Sequence, residues 1–310
     1  MPEVNEAGGS TGTIVQEQGE FNGLACRWLS NGRVRLAVTT GCGPRVVFCG
    51  LPGGRNLFAE TPGVTLDGPA GPLRLLGGHR LWYAPEIVER TYWPDDAPVK
   101  LGAVADGARF IAEPDGMGIV KELTVTLAAG AARVRVQHTL RNEGDAAIEL
   151  APWAVTMMPL GGVALLPQPQ GPVDPRALLP NRFLTLWPYS DPTDPHLRWG
   201  NRIVLLRGEP TPPNKLGYRN AHGWLAHWLD GTLFTKEFAP QLDGSHPDNG
   251  CNAECYRNDV FMEVETLGPL ATVEPGQAVT HDEVWRLHEG IGAIEDEESA
   301  VATMRAVGLW

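Results

Sequence analysis

Period-two alternation of apolar and polar residues runs through most of this chain and predicts strands. Ile119, Lys121, Leu123, Val125 and Leu127 share one side of a strand, and Val134, Val136, His138 and Leu140 continue the stripe beyond an Ala/Gly-rich loop. This reads as an antiparallel meander with one wetter face, and His138, inside the stripe, reads as a hydrogen-bonded core histidine. Leu24 to Leu29 and Arg33 to Thr39 flank Asn31-Gly32, a hairpin signal because both residues tolerate positive φ. Strand texture returns over Gly223 to Phe238 and Thr280 to Leu287. Between Pro159 and Asn220 prolines, glycines and aromatics predominate, and only Arg182 to Trp187 and Arg202 to Arg207 read as short strands, the rest as loops over one mouth of the sheets. Ala293 to Val307 predicts a terminal helix, with acids at its start, Arg305 near its end and Gly308 as its stop.

One strand carries chemistry in its alternation. Over 261–267, Met262 and Val264 point one way with Val260, while Phe261, Glu263, Glu265 and Leu267 point the other. Two carboxylates then share a face with two large apolar groups, which suits a sugar cleft with acid/base groups set among apolar walls. An exposed edge strand with two solubilising glutamates fits the same pattern.

Composition narrows the class. A chain of 310 residues with 43% hydrophobic content fills one large β domain, here expected over 13–290, with the helix of 291–310 packed on it. The stretch 1–12 reads as a flexible tail lacking the basic and apolar regions of a secretory signal, so cytoplasmic residence is the expectation. A net charge of -12 argues against nucleic acid or an anionic membrane as partner. The five cysteines, an odd number without an export signal, predict free thiols, and the Cys251/Cys255 pair lacks the second pair a zinc site needs. No metal or cofactor is expected.

Three other segments concentrate reactive side chains. Gly77-Gly78 precedes His79, Arg80, Trp82 and Glu86, residues suited to proton transfer, oxygen recognition and stacking on a sugar ring; a glycine turn beside a surface His-Arg pair fits as well. Lys236, one of only four lysines, shares a strand face with Phe234 and Phe238, and either snorkels or binds an anionic group. Lys215, in Pro213-Asn214-Lys215-Leu216-Gly217, is a second candidate of that kind. The oxygen-rich stretch His246 to Glu254 has calcium-loop texture without calcium-loop spacing, and reads as a solvated turn.

The Gly-Gly-His-Arg-Leu-Trp block, the opening Gly43-Pro44-Arg45-Val46-Val47 with Asn56-Leu57-Phe58, and Val264-Glu265-Thr266-Leu267 together resemble the galactose mutarotase-like superfamily, and within it a bacterial family related to aldose 1-epimerases. The resemblance covers roughly residues 20 to 288. It implies an all-β antiparallel supersandwich with a concave sugar-binding face, a small-molecule carbohydrate as partner, and an epimerase-type isomerase. Glu265 takes the place of the base in the epimerase Leu-Glu-Thr-Gln strand, and His79 is the candidate acid. Where the epimerases carry a second histidine before an aromatic-Asn-Leu run, this chain has Pro152-Trp153-Ala154-Val155-Thr156. Glu265 and His79 are thus the expected catalytic pair, with Arg80, Trp82, Glu86, Trp153, Lys215, Lys236 and Glu263 expected on the substrate, whose acid group the cations would recognise. A sugar-binding protein without catalysis, or a glycoside hydrolase or lyase with paired carboxylates, remains open.

Overall fold

The alternating segments form two antiparallel sheets stacked face to face in the computed structural model, which describes residues 13–310; the tail expected over 1–12 lies outside the described residues. Strand accounts for 49% of the chain and helix for 6%, so the all-β expectation holds. The larger, 11-stranded sheet runs Val15–Phe21, Leu24–Ser30, Arg35–Thr39, Arg45–Gly50, His79–Ala84, Ile148–Pro159, Phe261–Leu267, Ala253–Arg257, Asn214–Tyr218, Leu184–Leu186, with Ala271–Val273 pairing aside on Ile148–Pro159. The 10-stranded sheet runs Leu197–Arg198, Ile203–Arg207, Val163–Pro167, Trp224–Leu229, Thr232–Phe238, Ala278–His288, Arg133–Asn142, Ile119–Leu127, Gly107–Ile111, Lys100–Val104.

Inward residues of both sheets interdigitate in one core: Leu36, Leu81, Tyr83, Met158 and Val264 from the larger sheet meet Phe110, Leu123, Val136, Phe234 and Trp285 from the smaller. The outer face of the larger sheet carries a second apolar cluster of Trp82, Trp153, Val155, Met157, Phe261 and Leu267, half covered by the hairpin of Glu60–Gly68 and Gly71–Gly77 through Leu73 and Leu75. On the far side of the smaller sheet sits the helix Glu297–Ala306, burying Ala300, Val301 and Met304. It begins later than its acidic approach suggested, because Asp296 and Ser299 cap one another's backbone N–H groups and fix the first turn.

Asn31 and Gly32 do turn the chain between paired strands. Only Gly32 has positive φ; the Asn31 side chain instead accepts from the N–H groups of Arg33 and Val34, a side-chain-built turn. Gly77 and Gly78 serve backbone packing, not ligand approach: a Cβ would lie 1.9 Å from the Ala59 carbonyl at Gly77 and 2.2 Å from that of Val46 at Gly78. Among the described residues, no helix is long and apolar enough to cross a membrane.

Candidate functional site on the outer face of the larger sheet

Register decides which side chains meet. Reading straight across the strands, Arg45 pairs with Arg80, Arg80 with Val155, Val155 with Glu265, Glu265 with Glu254, and Glu254 with Gly217. Directly opposed residues share a face, so this row places two arginines and two glutamates on the outer face, with about 10 Å between the Arg80 and Glu265 backbones from the usual strand spacing. The row on one side holds Trp82, Trp153 and Leu267, and that on the other Met157, Glu263, Tyr256 and Lys215.

The glutamate end is a sealed cluster. Glu254 and Glu265 are wholly buried and Lys215 nearly so. The Lys215 ammonium donates to Glu265 Oε2 at 3.1 Å and lies 2.8 Å from Glu254 Oε2, while Trp153 donates its indole N–H to Glu265 Oε2 at 2.7 Å. The rings of Trp153 and Trp187 flank the ammonium at 4.9 and 4.6 Å. Gly217 makes the cover possible, since a Cβ there would press on the Trp187 ring at 3.1 Å. Burial opposes the Lys215 charge, but Glu254, Glu265 and Glu86 outweigh it and hold the ammonium well above its usual range. Burial, reinforced by Glu265, pushes Glu254 well above the carboxylate range against the pull of Lys215. Glu263 is pushed up to about 8 by burial and then by Glu265. Two buried carboxyl oxygens, Glu265 Oε1 and Glu254 Oε1, have no hydrogen-bond partner, while Glu254 Oε2 faces the Lys215 ammonium.

The arginine end has the opposite imbalance. Arg45 pairs with Asp95, and Arg80 donates to the Leu75 carbonyl, yet Arg80 Nε and Nη1 and Arg45 Nε are buried without a partner. Burial and the Arg45 charge draw Arg80 down to about 9, which leaves it charged at neutral pH. Two adjacent guanidiniums with spare donors are suited to an anionic oxygen pair.

The structure thus brings together Glu265, Glu263, Arg80, Trp82, Trp153 and Lys215 on one face. Glu86 lies exposed above it, hydrogen-bonded by Tyr92. Two expected members are elsewhere. His79 cannot share a face with Arg80, its neighbour along a strand, and projects inward: its Nδ1 meets Thr156 Oγ1 at 2.8 Å and its Nε2 meets His138 Nε2 at 2.7 Å. Lys236 also points inward, because the face it shares with Phe234 and Phe238 is the face that packs between the sheets. Its ammonium is 3.0 Å from Glu283 and donates to the Ala154 and Val264 carbonyls and to Thr156. The expected convergence of His79 and Lys236 with Glu265 is corrected accordingly.

His79, His138 and Glu283 sit close enough to ligate one ion. Their donors and acceptors are already used, with Glu283 accepting from Thr266 and Trp285 and His138 Nδ1 bonded to the His281 carbonyl. Burial keeps His79 and His138 below their usual pKa, hence neutral, and the Lys236 ammonium already balances the Glu283 charge. This is a satisfied core network. The five cysteines are free and buried, as expected.

Glu254 and Arg45 were not singled out from the sequence. Glu254 closes a segment that reads as a loop, yet Ala253–Arg257 and Phe261–Leu267 form a hairpin in which Glu254 and Glu265 are equidistant from the Asn258 turn. The alternation that exposed Glu265 would have found it.

No family model matches this sequence, and no curated protein matches it. Solved structures do. A TPR-domain containing protein from Parabacteroides distasonis ATCC 8503 superposes with a TM-score of 0.57 at 11% identity over 88% of this chain, which spans only 49% of that protein. A candidate aldose 1-epimerase from Klebsiella pneumoniae subsp. pneumoniae gives 0.57 at 10% identity over 95% of this chain and 86% of its own. A candidate mutarotase from Salmonella typhimurium gives 0.55 at 10% identity over 89% and 94%. With the stacked antiparallel sheets and the C-terminal helix, these likenesses establish that the chain has the galactose mutarotase-like fold.

Proposed function

We propose that the outer face binds a sugar acid and that Glu265 takes the C1 hydroxyl proton in an aldose 1-epimerase-type ring opening. The observation that carries this reading is the set of buried, unpartnered carboxyl oxygens of Glu265 and Glu254, which lie beside two indole rings. An unsatisfied buried polar group costs about 1–3 kcal/mol, a cost that sugar hydroxyls would relieve. Trp153 and Lys215 both donate to Glu265 Oε2, which leaves Oε1 as the atom free to accept a proton. Trp82 and Trp153, with ring centroids 5.3 Å apart, supply an apolar wall for the pyranose.

The spare donors of Arg80 and Arg45, two and three strands from Glu265 on the same row, fit a carboxylate on the far side of the ring from C1. This assigns charge recognition to the arginine pair and not to Lys236. Sugar entry requires the segment bearing Trp187 and Tyr189 to lift from Lys215 and Tyr256. The structural neighbours described as epimerase and mutarotase agree with a sugar as ligand.

Saturation-transfer NMR of anomer exchange with D-glucuronate, D-glucose and D-xylose tests the reading. Acceleration strongest for the uronate is expected. Binding without acceleration for all three would make the protein a sugar-binding module.

A further inference from the structure

We infer that Glu254 is the general acid of this site, giving its proton to the ring oxygen while Glu265 removes the proton from the anomeric hydroxyl. The inference rests on the epimerase reading and supplies the group that reading lacks, because His79 is walled off on the other side of the sheet.

The geometry selects Glu254. It opposes Glu265 directly across one strand pair, so the two carboxyls project from neighbouring backbone positions into the same space. The anomeric hydroxyl and the ring oxygen are bonded to the same carbon, so a base and an acid serving them at once must themselves be neighbours. Lys215 Nζ touches one oxygen of each carboxyl, at 2.8 and 3.1 Å, and so holds the two groups side by side. Glu254 Oε1 is buried and unpartnered, as is Glu265 Oε1. Glu263, the other carboxyl on the strand, is two residues along, about 7 Å at the usual rise per residue, beside Met157 and Tyr256.

Charge favours a proton on Glu254. The titratable groups facing it are Lys215 from Asn214–Tyr218, Glu265 from Phe261–Leu267, and Asp248 and Cys251 at the turn that precedes its strand, with Glu86 across Lys215. One ammonium among these acids balances one carboxylate. Glu265, which accepts from both Trp153 and Lys215, is the carboxylate, and Glu254, which has the shared Lys215 ammonium alone, is the neutral acid.

The step balances within the site. Glu265 Oε1 accepts the proton of the C1 hydroxyl, the C1–O1 bond becomes a carbonyl, the C1–O5 bond breaks with its electron pair going to O5, and O5 takes the proton of Glu254. After rotation about C1–C2 the same transfers run backwards onto the other face of the carbonyl and restore both side chains. No outside proton or cofactor is consumed.

The test compares Glu254→Gln and Glu254→Asp with wild type in D-glucuronate anomer exchange across pH 5 to 10. The glutamine variant is expected to lose about 10²- to 10⁴-fold in kcat, the usual contribution of a general acid, and to lose the alkaline fall of the wild-type profile. The aspartate variant is expected to recover part of the rate and that fall. Independently of any sugar, the infrared carbonyl band of a protonated carboxyl at neutral pH is expected to shrink in Glu254→Gln. Full activity of Glu254→Gln, an unchanged pH profile in it, or disappearance of the alkaline fall in Glu263→Gln instead would overturn the assignment while leaving Glu265 as base. If wild type accelerates no exchange, the epimerase reading and this inference fall together.

Discussion

Trp153 donates its indole N–H to Glu265 Oε2 at 2.7 Å, on the opposite side of the carboxylate from an oxygen that has no partner at all. The Trp153 indole therefore orients the candidate base. Trp153→Phe keeps the apolar wall and removes only the donor. A hydrogen bond to a charged group contributes about 1.5–3 kcal/mol, so kcat/KM for anomer exchange should drop about 10- to 100-fold. A fall confined to KM would show that the indole N–H serves binding alone.

Arg80→Met should weaken uronate binding much more than binding of the neutral aldose, because it removes the spare guanidinium donors and leaves the tryptophan wall in place. Titration of both sugars by NMR decides this. Equal losses for the two would remove the sugar-acid proposal.

His79→Gln should lower stability and leave kcat of the folded protein near wild type, since the imidazole is part of the network between the sheets. Lys236→Met should be more damaging, by about 3–5 kcal/mol, because Glu283 would be left as a buried charge without its ammonium. Chemical denaturation gives the stability and the exchange assay the rate. Loss of rate in a stable His79→Gln protein would return His79 to the catalytic account.

Glu263 links the outer face to pH. Unfolded, it releases its proton near 4.5; folded, near 8. Between these values the folded state binds the extra proton, so raising the pH through the window costs stability, by up to about 1.4 kcal/mol per pH unit for a single group. Denaturation of wild type and Glu263→Gln from pH 5 to 8 should show the difference between them shifting in the variant's favour as pH rises. Parallel curves would mean that Glu263 is ionised throughout.

Much of this architecture was legible in the chain. The stripes of Ile119–Leu127 and Phe261–Leu267 sort their residues between core and outer face as alternation predicts, because the side-chain period of a strand is fixed by the backbone. The same rule, applied to adjacent residues, separates His79 from Arg80, and there the residue types drew attention away from parity. Lys236 shows a different limit. Its face was legible, but whether a face with two phenylalanines meets solvent, ligand or a second sheet depends on which strands stack, and that is not a local property. Arg45 and Arg80 meet only through the pairing of two strands at positions 35 residues apart in sequence, and no single segment reveals it.

The most direct test of the central claim is Glu265→Gln, measured for sugar binding and for anomer exchange on the same sample. An amide keeps the shape and the hydrogen bonds but cannot take the proton, so D-glucuronate should still bind within a few-fold of wild type while catalysed exchange falls by about 10²- to 10⁴-fold. Exchange at the wild-type rate in this variant would contradict the assignment of Glu265 as the base.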